Sequence, residues 1–213
     1  YVRTLLRALP AVARGTGVAI RADARTVGQQ HHDCLIATDP PYFDAIGYAD
    51  LSDFFYIWHR RALRDAFPDL YATVAAPKAG ELTAIASNHG SSAEAAREYF
   101  VDGFTETFSS LQHSAKKGLP LIVVYASKEQ KAGSGEETRW ASILTAMIQA
   151  ELEITGTWPI HGTGANRMVG QGANTVASYV AMICRPRKAD AGTCSLADFY
   201  RALRRELKPA VEQ

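Results

Sequence analysis

Three things are scarce in this chain, and each scarcity removes a class of protein. Cysteine occurs three times in 213 residues, at Cys34, Cys184 and Cys194, with no C-x-x-C pair. That spacing excludes a disulfide-stapled scaffold and a zinc-ribbon cysteine set within the chain, and fits reduced core thiols of a cytoplasmic protein. An excess of one charge is missing too: 23 basic and 22 acidic residues leave a formal net charge of +1. No global basic field therefore argues for nucleic acid. The positive charge is local, at Arg185, Arg187 and Lys188 and again at Arg201, Arg204, Arg205 and Lys208. Both clusters read as solvated strand ends and helix faces. Finally, no apolar run is as long as a membrane span, and no basic-then-apolar signal segment opens the chain. The expectation is a cytoplasmic protein with no membrane partner.

What is present is the composition of a globular domain, 47% hydrophobic and 21% charged. The length suits one domain, or a large part of one, spanning residues 1–213. Starting at Tyr1 rather than Met, the chain reads as a fragment or a processed product. Helical spacing predicts helices over 3–13, 51–66, 91–117, 137–151 and 195–208. The 51–66 helix carries an apolar stripe of Leu51, Phe55, Trp58 and Ala62. The next has Ala96, Phe100, Phe104, Phe108 and Leu111, and the fourth turns Trp140, Leu144, Met147 and Ile148 inward. Ser195 and Asp198 form a capping box for the last helix, which Leu196, Phe199, Leu203 and Leu207 dock. Strands are expected at 18–23, 33–38, 119–125, 152–160 and 175–184. Residues 67–90, with Pro77, Gly80, Asn88 and Gly90, read as a surface excursion of functional length. The last two strands have no helix between them, only a Gly/Asn/Arg loop at 161–174, which makes them an antiparallel hairpin. Strands alternating with helices before that hairpin predict an α/β sandwich, mostly parallel, with the hairpin at one edge.

The stretch that carries chemistry is Asp39-Pro40-Pro41-Tyr42. It follows the apolar run 33–38, so it sits at the carboxyl end of a core strand, where ligands bind in open α/β sheets. The prolines fix φ and remove two backbone donors. What remains is a stiff corner with a carboxylate, free carbonyls and an aromatic ring, suited to a planar group bearing an amine. Asp23 ends the preceding expected strand, either as a simple turn acid or as a second carboxylate of the site. Phe43 and Tyr48 either wall the same pocket or pack under the 51–66 helix. Asn166 and Arg167, in the hairpin loop with His161 and Asn174, either hold a phosphate or a base or are plain solvated loop. His31, His32 and Cys34 do not have the spacing of a metal site.

The run Thr38-Asp39-Pro40-Pro41-Tyr42-Phe43-Asp44-Ala45-Ile46-Gly47-Tyr48-Ala49-Asp50-Leu51-Ser52-Asp53-Phe54-Phe55-Tyr56, with Trp158-Pro159-Ile160, Asn166-Arg167-Met168 and Cys184-Arg185-Pro186-Arg187, resembles the S-adenosylmethionine-dependent amino-group DNA methyltransferases. Within them it looks like the carboxyl-terminal part of the large adenine-specific DNA methylases described as carrying a zinc ribbon. The resemblance implies a Rossmann-like methyltransferase sandwich, incomplete at its amino-terminal side, with S-adenosylmethionine as cofactor and DNA as partner. It implies that Asp39 and the Pro40 carbonyl, stiffened by Pro41, accept hydrogen bonds from the exocyclic amine of adenine. Tyr42 would stack on the extruded base and Asp23 would lie beside the cofactor's adenine. Asp rather than Ser or Asn at position 39 favours adenine N6.

The chain departs from the pattern in lacking a glycine-rich cofactor loop. Gly162-Thr163-Gly164 and Gly170-Gln171-Gly172 precede a strand, not a helix, and cannot serve. Gly164 also stands where relatives would carry a carboxylate. The alternatives are methylation of an RNA base or a protein amide, or a non-catalytic nucleic-acid-binding remnant.

Overall fold

The computed structural model describes residue 3, residues 17–126, 136–161 and 178–211. Helix α1 spans Tyr48–Leu63, α2 Ala93–Ser114, α3 Glu136–Gln149 and α4 Leu196–Val211. Strand β1 spans Ile36–Thr38, β2 Leu121–Tyr125, β3 Leu152–His161 and β4 Ser178–Pro186. The fold is α/β, with one four-stranded sheet in the order β1-β2-β4-β3. The expected helix over 3–13 and the loop residues Asn166 and Arg167 lie outside the described residues, apart from Arg3.

Sheet direction corrects the expectation of a mostly parallel sheet. Among the described strands only β1 and β2 run parallel, with Ile36 opposite Leu121 and Thr38 opposite Val123. The hairpin is antiparallel as expected, but its second strand turns inward and pairs antiparallel with β2. The sheet is therefore mixed. The expected strand over 18–23 does not form: these residues are irregular, and Val18 and Ile20 are exposed. A β-forming sequence becomes a strand only where a sheet edge receives it; among the described residues β1 pairs on one side only.

Register explains where the core lies. Leu121, Val123 and Tyr125 of β2 stand opposite Cys184, Met182 and Val180 of β4, so these side chains share one face. Onto that face pack α2 and α3, with Phe100, Phe104, Phe108, Ile143 and Met147 buried. Full burial of each such side chain contributes roughly 1.5–3 kcal/mol. Ser92 caps α2 by accepting from the Ala95 amide at 3.2 Å. Ser195 caps α4 in the same way, accepting from the Asp198 amide at 3.1 Å.

Three packing expectations are corrected. The stripe of α1 does not turn inward: no residue of α1 is buried, and Phe55 is 60% exposed. Leu196, Phe199, Leu203 and Leu207 of α4 are likewise exposed rather than docked. Ile148 faces out from α3, where Ile143 and Ala146 take the buried positions. Periodicity says that a helix face seeks an apolar partner, not that the same chain supplies it. Nor is residues 67–90 wholly a surface excursion. Leu82, Thr83 and Ala84 are buried, and the Ala84 amide donates to the Phe43 carbonyl at 3.0 Å.

Candidate functional site

Strand β1 delivers the Asp39–Tyr42 corner. It is short, but Thr38 anchors its end by donating from Oγ1 to the Ile122 carbonyl at 3.3 Å. Pro40 is buried and Pro41 half-buried, which leaves Asp39 exposed at the rim. The chain then reverses tightly. The Phe43 amide donates to the Pro41 carbonyl at 3.2 Å and the Ala45 amide to the Tyr42 carbonyl at 2.8 Å. Phe43 adopts φ 44°, in the left-handed region that costs a non-glycine residue about 1–2 kcal/mol. What offsets that cost is burial: Phe43 is 8% exposed and meets Phe100 edge-on at 5.0 Å. Phe43 thus belongs to the core beneath the corner and does not line the cavity beside it.

Asp39 and Asp23 come together across one cavity of about 1010 Å³. Thr38, Asp39, Pro40 and Pro41 form one wall, and Arg21 to Ala24 with Val27 another. Phe104, Phe108 and Leu111 of α2 contribute apolar surface. Tyr48, Ala49 and Ser52 of α1 and the strip Gly80, Glu81 and Leu82 complete it. Of the residues singled out in the sequence, Asp23, Asp39, Pro40, Pro41 and Tyr48 line this space, whereas Tyr42 does not.

Each carboxylate is held differently. Asp23 accepts from Arg25 at three donors: the backbone amide at 2.9 Å, Nε at 3.0 Å and Nη2 at 2.6 Å. The Arg25 guanidinium, then its amide, holds the Asp23 carboxyl below the usual range. Asp23 is also a turn acid, since its carbonyl accepts from the Thr26 and Val27 amides. Asp39 has a single hydrogen bond among the described residues, accepted at Oδ1 from the Tyr42 hydroxyl at 3.0 Å. The Pro40 carbonyl accepts none from any described residue. Oδ2 of Asp39 and the Pro40 carbonyl thus have no hydrogen-bond donor among the described residues, and both residues line the cavity.

The corner is braced from α3. Arg139 is 9% exposed and grips Asp44 with both arms, Nε to Oδ1 at 2.7 Å and Nη2 to Oδ2 at 3.3 Å. Its neighbour Trp140 meets Tyr125 edge-on at 5.1 Å, and Tyr125 in turn meets Tyr42 edge-on at 5.8 Å. Tyr179 of β4 closes the group at 6.3 Å from Tyr42. Burial first, and then the Asp39 contact, push the Tyr42 hydroxyl far above its ordinary pKa. On the opposite side Glu81 accepts from the Tyr48 and Ala49 amides at 2.6 and 3.3 Å. It thereby satisfies two amino-terminal donors of α1 and ties α1 to the 77–84 strip. Burial also raises the Tyr48 hydroxyl, with a smaller contribution from the Asp39 charge.

Arg139, Glu81, Tyr125 and Tyr179 escaped the sequence reading. Asp44 offered a signal, as an acid five residues past Asp39 inside the aromatic corner. Arg139 lies 95 residues from its partner and had none. Comparison with protein-family models, curated proteins and solved structures returned no match. No helix among the described residues is long and apolar enough to cross a membrane.

Proposed function

We propose that the chain is the part of an S-adenosylmethionine-dependent methyltransferase that holds the acceptor amine, and that the amine is N6 of adenine in DNA. One observation carries this reading: Oδ2 of Asp39 and the Pro40 carbonyl, on adjacent residues lining a cavity roomy enough for a nucleoside, accept no hydrogen bond from any described residue. An exocyclic amine has two hydrogens to donate, and two adjacent acceptors fit it. Bonds to both hydrogens draw the nitrogen lone pair out of conjugation with the ring and aim it into the cavity. The mixed sheet, with α2 and α3 over one face and β4–β3 at one edge, is taken as part of a Rossmann-like methyltransferase sheet.

The cavity fits the methyl donor by its room and its apolar α2 wall, and Asp23, Asp39 and Glu81 outnumber Arg21 on its lining, which favours a cation. When bound, S-adenosylmethionine supplies a methyl on a cationic sulfur, so that transfer forms an N–C bond, breaks an S–C bond and leaves a neutral thioether. Asp23, on the wall opposite Asp39, would hold the donor's adenine end. Tyr48, at the start of α1, would border the acceptor. The proton shed by the methylated nitrogen would pass to Oδ2 of Asp39 and from that exposed carboxylate to water.

The test uses the full-length protein and labelled S-adenosylmethionine, offered DNA, RNA and protein in parallel. Methyl transfer to DNA should fall at least 100-fold in Asp39→Ala while the circular dichroism spectrum is unchanged. Label appearing in RNA or protein instead moves the reading to those substrates, and undiminished transfer by Asp39→Ala removes it.

A further inference from the structure

Among the described residues, the one hydrogen bond on the Asp39 side chain comes from a residue three positions away, across two prolines. We infer that the Tyr42 hydroxyl is a positioning group for Asp39: by donating to Oδ1 it fixes the carboxylate and presents Oδ2, with the Pro40 carbonyl, to the substrate amine. The inference rests on the amine-holding role proposed above and adds a second duty to a residue otherwise read only as a stacking surface.

Four observations lead there. The donor–acceptor distance of 3.0 Å is that of a formed bond, and Asp39 has no other partner among the described residues. Pro40 and Pro41 fix φ at both intervening positions, so closing this bond orders little extra chain. The Tyr42 ring cannot swing freely, because Tyr125 meets it at 5.8 Å with an interplanar angle of 86° and Tyr179 at 6.3 Å. Tyr125 is itself fully buried and backed by Trp140. Tyr42 also does not line the cavity, whereas Asp39 does, so the phenol reaches the cavity only through the carboxylate. A free carboxylate on a strand end rotates about χ2, whose preferences are broad. Holding one oxygen turns that rotor into an acceptor of fixed direction. Because the hydroxyl keeps its proton well past neutral pH, it remains a donor wherever an enzyme works.

Tyr42→Phe in the full-length protein separates the two duties, since it keeps the ring and removes only the hydroxyl. With labelled S-adenosylmethionine and unmethylated plasmid DNA, kcat should fall about tenfold or more while KM for DNA changes less than twofold. Without any ligand, the 13C resonance of the Asp39 side-chain carboxyl should shift between wild type and Tyr42→Phe. An unchanged kcat, a change confined to KM, or an unmoved Asp39 carboxyl resonance overturns the inference. If those results occur while Asp39→Ala is inactive, the amine-holding role stands and only the Tyr42 duty falls. An active Asp39→Ala protein overturns both.

Discussion

At the scale of single residues, the corner owes its shape to groups that never touch the cavity. Arg139 is the chief of these. Replacing it with Met keeps the stem's packing and removes both bonds to Asp44. Asp44 is 38% exposed on its side chain, so water reaches the abandoned carboxylate and the cost stays below that of breaking a fully buried pair. Arg139→Met is expected to lower stability by about 2 kcal/mol in a urea titration and to reduce methyl transfer, with Arg139→Lys between it and wild type. Equal stability of wild type and Arg139→Met would show that the brace contributes nothing. The cysteines give a second residue-level prediction. Burial pushes the Cys184 thiol up to about 11, whereas Cys194 is exposed. The thiolate is the nucleophile, so at pH 8.5 iodoacetamide should label Cys194 and spare Cys184 until denaturant is added. The sign for stability follows. Burial favours the protonated thiol, so this contribution is complete below the unfolded value of about 8.5 and is lost as pH rises towards 11.

At the scale of elements, two glycines show how α2 is fitted to its neighbours. A Cβ on Gly28 would lie 2.1 Å from the Ser110 carbonyl oxygen, which is helix backbone and cannot move aside. Ser114 strengthens the same contact by donating to the Gly28 carbonyl at 2.7 Å. A Cβ on Gly103 would meet only the tip of Leu82, at 2.4 Å, and alanine there gains about 1 kcal/mol of helix propensity. Gly28→Ala should therefore cost more than about 2 kcal/mol, and Gly103→Ala distinctly less, with a local shift of Leu82 at the cavity. Thermal unfolding of the two variants checks the order, and a reversed order would contradict this account of the packing.

These cases show what the sequence could disclose. The α2 stripe was legible because Phe100, Phe104 and Phe108 recur at helical spacing and their partners lie in the same chain. The corner was legible because Pro40 and Pro41 leave the backbone few choices. The direction of β4 was not, since a hairpin can join a sheet by either strand, and alternation does not say which. The 18–23 segment failed for a related reason: its residues favour a strand, but no described edge receives them. Phe43 read either as a pocket wall or as packing under the 51–66 helix, because an aromatic after a proline pair gives no hint of a left-handed turn into the core. Arg139 escaped altogether, since an ion pair 95 residues apart leaves no local pattern.

At the scale of the whole molecule, a mixed sheet and two packed helices set Asp39 and Pro40 in the lining of one cavity. The outward apolar faces of α1 and α4 show that this core does not use every apolar surface the chain carries. The central claim is that Asp39 and Pro40 hold the N6 amine of adenine during methyl transfer. Its most direct test is to incubate the full-length protein with methyl-labelled S-adenosylmethionine and unmethylated DNA, digest the DNA to nucleosides and identify the labelled one by mass spectrometry. The account predicts label in N6-methyl-2′-deoxyadenosine for wild type and none for Asp39→Ala. Label in N4-methylcytosine, or equal labelling by Asp39→Ala, would contradict it.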